Sequence, residues 1–203
     1  MKSCLLPPPS EIFEIASLLS QIPHAIQMGN YEMAKQILRE SNSPEIRRWT
    51  EALWGKGGIY YQLQKNLGTP KTIPLDQRDI LRMPDKKLAS ELIKRDGHYC
   101  RFCGTPVIRK EIRDQLKSQF PDELPWGKIN LSQHAAFQAM WLQYDHVLPH
   151  ARGGRTTLDN MIITCAPCNY GRMNFLLEEI DLELLKRQSP TILNWTGLEE
   201  LIP

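Results

Sequence analysis

The sequence predicts an α+β protein with a small α-helical N-terminal domain and linker over residues 1–84, followed by a metal-stabilised domain over residues 85–203 that carries a helical insertion. Two observations support this division. Capped segments of helical apolar periodicity fill the first part, and two Cys-x-x-Cys pairs, Cys100/Cys103 and Cys165/Cys168, bracket most of the second. A chain of 203 residues is long enough to bury a sizeable core, and 41% hydrophobic with 24% charged residues is the composition of a folded globular protein.

In the N-terminal part, Ser10 is the expected cap of a helix over Glu11 to Ser20, with Ile12, Ile15, Leu18 and Leu19 at helical spacing. Tyr31 to Glu40 is a second helix. Ser43-Pro44-Glu45 has the cap-then-proline start of a third over Ile46 to Leu53, which Gly55 to Gly58 should end. No catalytic constellation precedes residue 90, so this region reads as an interaction or positioning unit, a surface for a protein partner or for self-association. Pro70, Pro74 and Pro84 then punctuate a linker over Thr69 to Pro84. Beyond it, Lys86 to Arg95 is helical in pattern and Asp96-Gly97 marks a turn before the first cysteine pair. The insertion between the pairs should hold two helices, Ile108 to Phe120 and Leu131 to Gln143. Its aromatic residues Trp126, Phe137 and Trp141 are expected to pack in a core; the alternative is stacking on nucleobases.

A net charge of +2 identifies no partner, but the charge is unevenly placed. Lys94, Arg95, Arg101, Arg109, Lys110 and Arg113 face only Asp96 and Glu111 in one segment, whereas Glu178 to Glu200 is acidic. No run of about 18 apolar residues suggests a membrane span, and Met1 to Pro9 lacks the apolar core of a secretion signal, so a cytoplasmic protein is expected. In that setting paired cysteines point to metal, not disulfides. Two tight turns supply four thiolates at about 2.3 Å, the donor set of a structural zinc ion, and four thiolates leave no open position for catalysis.

The richest segment runs Tyr144-Asp145-His146-Val147-Leu148-Pro149-His150-Ala151-Arg152-Gly153-Gly154, then Leu158-Asp159-Asn160 and Cys165-Ala166-Pro167-Cys168-Asn169. With the first cysteine pair, the ordered elements Cys-x-x-Cys, Asp-His-x-x-Pro, Gly-Gly, Asn and Cys-x-x-Cys-Asn resemble the HNH (ββα-metal) nuclease family, in its subgroup with paired zinc knuckles, over about residues 95 to 177. The resemblance implies a strand hairpin crossed by a helix, with Met161 to Thr164 as the second strand and Asn169 near the start of the helix. It implies an endonuclease acting on DNA, with RNA left open. Phosphodiester hydrolysis needs an activated water and neutralised phosphate oxygens. His146, of a residue type with a pKa of about 6.5, would be the general base. Asp145 and Asn169 offer hard oxygens to Mg²⁺ or Mn²⁺, and Asn160 would orient the histidine.

The family's last motif letter is most familiar as histidine; Asn169 stands there instead, which favours a hard cation over a soft one. Arg172 is a candidate for phosphate or transition-state contact, or else a surface arginine. Arg152 and Arg155 flank the glycine loop as candidate phosphate contacts or solvated loop charges, and His150 lies four residues past His146. His98 is expected beside the first knuckle, and His24 and His134 at the surface or satisfied in the core. The competing readings are a zinc-stabilised nucleic-acid-binding module without catalysis and a protein-interaction zinc domain.

Overall fold

The computed structural model describes residues 1–185 and 195–202. Five helices come first: α1 (Glu11–Leu19), α2 (Ile22–Gln27), α3 (Tyr31–Glu40), α4 (Pro44–Trp54) and α5 (Ile59–Leu67). The α4 start follows the sequence signal, because Ser43 Oγ accepts from the backbone N–H of Glu45 at 3.1 Å and of Ile46 at 3.3 Å, with Pro44 at the first helical position. The expected cap at Ser10 is not made. Its backbone is already helical, and the Pro9 carbonyl accepts from Ile12 N–H at 3.1 Å. Gly55 and Gly58 break the chain between α4 and α5, since a Cβ at Gly55 would lie 2.5 Å from the Glu51 carbonyl oxygen and one at Gly58 would lie 2.9 Å from that of Ala52. Helix α5 has no buried residue and no side-chain cap, which is why its sequence gave no clear signal.

Helix α6 (Lys86–Asp96) is capped by Asp85, which accepts from Leu88 N–H at 2.8 Å, and ends at Gly97 with φ +68°. The insertion contains α7 (Lys110–Gln119) and a short α8 (Ala135–Ala139). The helix expected over Leu131 to Gln143 is therefore a single turn or so. The Met140 carbonyl accepts from Ile108 N–H at 2.7 Å and Leu142 N–H donates to the Ile108 carbonyl at 2.9 Å, so the chain is already extended where helical bonds would continue. Strands β1 (Leu142–His146) and β2 (Met161–Cys165) form a two-stranded antiparallel sheet in the register Leu142↔Cys165 through His146↔Met161. Helix α9 (Ala166–Arg172) follows immediately and packs on both strands.

Buried apolar residues from Leu5 to Leu198 form one cluster, and α4 packs against both α8 and α9. Gly171 permits this approach, because a Cβ there would sit 3.3 Å from the side chains of Leu5 and Leu53. The N-terminal helices and the hairpin module thus share a core. Among the described residues no helix is long and apolar enough to cross a membrane.

Candidate active site

The four paired cysteines come together. Their sulfurs lie within 4.8 Å of one another, with Cys103 Sγ 3.6 Å from Cys165 Sγ. A tetrahedral ion with metal–sulfur bonds of about 2.3 Å has sulfur–sulfur edges of ~3.8 Å, so the donor set fits a structural zinc ion. Burial first, then the neighbouring Cys100 sulfur, push the Cys165 thiol well above its ordinary range; a bound cation reverses that preference. Gly104, at φ +76°, closes the first knuckle by donating to the Cys100 carbonyl at 2.9 Å. The second pair straddles the β2–α9 junction and so fixes where α9 begins.

Asp96 ties the first knuckle to the sheet. Its carboxylate is fully buried and accepts from Arg95 Nη2 at 2.6 Å, Arg101 Nη1 at 2.7 Å and Ile163 N–H at 3.2 Å. Of the basic run between Lys94 and Arg113, Arg95 and Arg101 are thereby neutralised. Arg109 pairs with Glu199, and Arg113 is 4% exposed with its guanidinium 3.9 Å above the Trp126 ring. The four arginines of this segment are thus tied into the fold, while Lys94 and Lys110 are exposed. Trp126 packs on Arg113 and Phe137 is buried, in line with packing roles; Trp141 also touches Arg113 but is only partly buried.

His146 closes β1 and is 6% exposed. Its Nε2 lies 3.0 Å from Thr156 Oγ1, and that hydroxyl donates to the Leu81 carbonyl, which can only accept. The hydroxyl proton being committed, Thr156 accepts from His146, so Nε2 carries the ring proton. Nδ1 has no partner among the described residues and keeps its lone pair. Burial, followed by His150 and Arg172, pushes the His146 pKa down to about 4, so the ring is neutral at neutral pH. His150 stacks obliquely with its ring centre 5.5 Å from that of His146, and its Nε2 lies 2.8 Å from the Asp79 carbonyl oxygen.

The partner that holds the histidine ring is therefore Thr156, not Asn160. Asn160 Oδ1 accepts from Leu148 N–H at 2.9 Å, and its Nδ2 donates to the carbonyls of Leu148 and Arg155 at 3.1 and 2.9 Å. It clamps the Leu148-to-Arg155 loop that follows the histidine. The linker takes part as well. Asp79 Oδ2 accepts from Thr156 N–H at 2.9 Å, and Ile73 N–H donates to the Ala151 carbonyl at 2.9 Å, so the segment around residues 73–81 lies across this loop. Nothing in the residue types at Thr156 or Asp79 separates them from ordinary loop polar groups, which is why sequence reasoning missed them.

Asp145 and Arg172 meet, with a consequence for both expected roles. Arg172 is fully buried. Its Nε and Nη2 bind the Asp145 carboxylate at 2.8 to 3.0 Å, Nη2 also donates to the His146 carbonyl at 2.6 Å, and Nη1 donates to the carbonyls of Val147 and Phe175 at 3.2 and 3.1 Å. All five guanidinium donors are engaged, and none is left for a phosphate. Arg172 is thus an internal brace, not a phosphate ligand. The Asp145 carboxylate also accepts from His146 N–H at 2.8 Å. Nη2 has two hydrogens for its three acceptors, so the two carboxylate oxygens share one of them; Asp145 accepts three hydrogens in all, and most of its acceptor capacity is taken up inside the protein. Burial raises the Asp145 carboxyl above its ordinary range, Arg172 opposing it; the three accepted hydrogens are those of an ionised carboxylate.

Asn169, on α9, keeps its Oδ1 without a partner among the described residues, while its Nδ2 is 3.5 Å from Gln143 Oε1. Arg152 is paired with Glu179 at 2.6 Å; Arg155 is exposed, with Asp79 as its nearby opposite charge. His98 pairs with Glu199 at 2.9 Å, His134 is buried, and His24 is exposed.

Residues 132–174, which hold β1, the glycine loop, β2 and α9, match the family model described as HNH endonuclease. This segment is similar to HNH endonucleases. Within the HNH segment lie His146, Asn160, Asn169 and the second cysteine pair; the first pair and the N-terminal helices are outside the match. No curated protein and no solved structure matches the chain.

Proposed function

We propose that this protein is an endonuclease that hydrolyses DNA phosphodiester bonds, with His146 as general base and zinc on Cys100, Cys103, Cys165 and Cys168 as a structural ion. The observation that carries the reading is the state of His146. Held through Nε2 by Thr156 and with Nδ1 unpartnered, the ring has the geometry to take a proton from water; its pKa of about 4 keeps it unprotonated and makes it a weaker base than a free imidazole. The water oxygen then bonds to phosphorus, the bond from phosphorus to the 3′ oxygen breaks, and the proton rests on Nδ1. Thr156 fixes the tautomer and the ring plane; Asn160 fixes the loop that carries Thr156. Arg155 and Arg82 are exposed cations near the site, and Arg155 is the candidate phosphate contact.

The HNH family's chemistry calls for a divalent cation such as Mg²⁺ or Mn²⁺ on the scissile phosphate, where it would neutralise charge. Asn169 Oδ1 is the open hard donor. Asp145 accepts three hydrogens from Arg172 and the His146 backbone and would have to loosen that brace to act as a full ligand, so no step is assigned to it beyond bracing.

The engagement of Asp145 by Arg172 favours a second reading, a zinc-stabilised module that binds nucleic acid without cutting it. Supercoiled plasmid incubated with purified protein in Mg²⁺, Mn²⁺ or without either cation separates the two. Metal-dependent nicking that His146→Ala abolishes and Thr156→Val reduces about tenfold or more establishes the nuclease. Plasmid that is bound and left intact under every condition establishes the binding module. Full activity in His146→Ala sinks the assignment of the base.

A further inference from the structure

An aromatic cavity of about 480 Å³ opens beside the candidate active site, lined by Trp54, Tyr60, Gln138, Trp141, Tyr170 and Met173 among others. That volume lies within the roughly 300 to 1,000 Å³ of small-molecule sites. Tyr170 follows Asn169 directly on α9, so the cavity shares a helix with the motif's last residue. Trp54 and Tyr60 come from α4 and α5, in the part of the chain outside the HNH match.

The walls are built for a flat, partly polar ligand. Four rings converge, with Trp54 and Tyr170 edge to face at 4.9 Å between centres. Gln138 is 1% exposed, and Arg47 Nη1 fixes its Oε1 by donating at 2.9 Å. That bond determines the amide orientation and leaves Nε2, buried, with no hydrogen-bond partner. A buried N–H donor without an acceptor is costly, and such groups are rare unless something else satisfies them. Met173 adds a second irregularity, a non-glycine residue at φ 51° on the cavity wall.

We infer that this cavity receives one unstacked nucleobase of the substrate, held between the Trp54, Tyr60, Trp141 and Tyr170 rings, with the Gln138 amide set back in its wall. Every base offers a π-face for stacking, whereas a phosphate or sugar would gain little from four aromatic rings. The N-terminal helices acquire a role, since they supply half of the aromatic wall. An intact duplex cannot present a base this way, so the site takes single-stranded or extruded nucleotides. The inference rests on the nuclease reading for the identity of its ligand as nucleic acid, but it makes a claim of its own about binding.

The test uses the full zinc-loaded chain in a His146→Ala background, so that binding is measured without cutting. Anisotropy is recorded with a single-stranded oligodeoxynucleotide of about a dozen nucleotides and with an abasic oligomer of the same length. The base-bearing strand should bind about tenfold or more tightly than the abasic one, and Tyr60→Ala or Trp54→Ala should reduce that ratio severalfold, each lost stacking contact weakening binding by about five- to tenfold or more. Tyr60 is only partly buried, and unchanged zinc content and melting temperature establish that its variant is folded. Equal binding of the two strands, no binding of either, or a ratio indifferent to both substitutions overturns the inference. Plasmid cutting by the protein with His146 intact is scored separately. Cutting without base-dependent binding removes the pocket and keeps the nuclease; base-dependent binding without cutting keeps the pocket and removes the nuclease.

Discussion

Arg172 and Asp145 concentrate the largest single-residue sensitivity in the molecule. Two ions buried together cost several kcal/mol each to desolvate, and only a filled set of hydrogen bonds offsets that. Here every donor of the arginine and most acceptor positions of the carboxylate are used, and the three accepting carbonyls belong to the end of β1 (His146), the residue after it (Val147) and the segment after α9 (Phe175). Removing one partner leaves the other charged and unpaired. Arg172→Met and Asp145→Ala are each expected to destabilise the protein by about 3 to 5 kcal/mol, and the double variant by clearly less than the sum of the two. Urea unfolding of the four proteins measures this. Additive losses would mean that the two residues act independently and that the carboxylate is free for another partner.

At the level of elements, His134 pins the start of α8 to the end of α3. Its Nε2–H donates to the Leu38 carbonyl at 2.7 Å, and burial, the dominant cause, with Arg47 nearby, pushes its pKa down to about 4. The other close groups are the Phe137 ring and its own backbone. Because the folded-state pKa is depressed, the unfolded chain binds a proton first as pH falls. The stabilisation is complete above about pH 6.5 and is lost progressively as pH drops towards 4, by on the order of 3 kcal/mol for this residue. His134→Gln should flatten the acid side of the stability–pH curve between those limits, as read from melting temperature; an unchanged slope would assign the acid sensitivity elsewhere. His134 also illustrates what sequence alone conveys about elements. Ser43-Pro44 announced α4 because capping is local chemistry, and the apolar periodicity of Lys86 to Arg95 announced α6. The predicted helix over Leu131 to Gln143 dissolved into α8 and β1 because its backbone bonds go to Ile108, a partner more than thirty residues away. In the candidate site, Asp145, His146, Asn160, Asn169 and the four cysteines were legible as an ordered motif. That Thr156 holds the His146 ring and that Arg172 binds Asp145 were not, since both depend on where a loop and a short helix come to rest.

For the whole molecule, the cysteine cluster is the joint on which the HNH segment depends. It links the knuckle after α6 to the first turn of α9, a helix of seven residues that is too short to persist without tertiary support. The N-terminal helices have their own contacts, α1 with α3 and α4, and α2 with α3. Chelation of the metal should therefore divide the chain. Binding energies of structural zinc are about 10 to 16 kcal/mol in small domains, comparable to the entire stability of a protein this size. Treatment with a strong chelator is expected to expose Cys100, Cys103, Cys165 and Cys168 to a thiol reagent, to abolish near-ultraviolet circular dichroism from Trp141 and its surroundings, and to leave much of the far-ultraviolet helical signal of α1 to α4. Readdition of Zn²⁺ should restore the first two. A chain whose four thiols stay protected and whose melting temperature is unmoved by chelation would show that packing alone holds α9 in place, and the cysteines would then have to be explained as core residues.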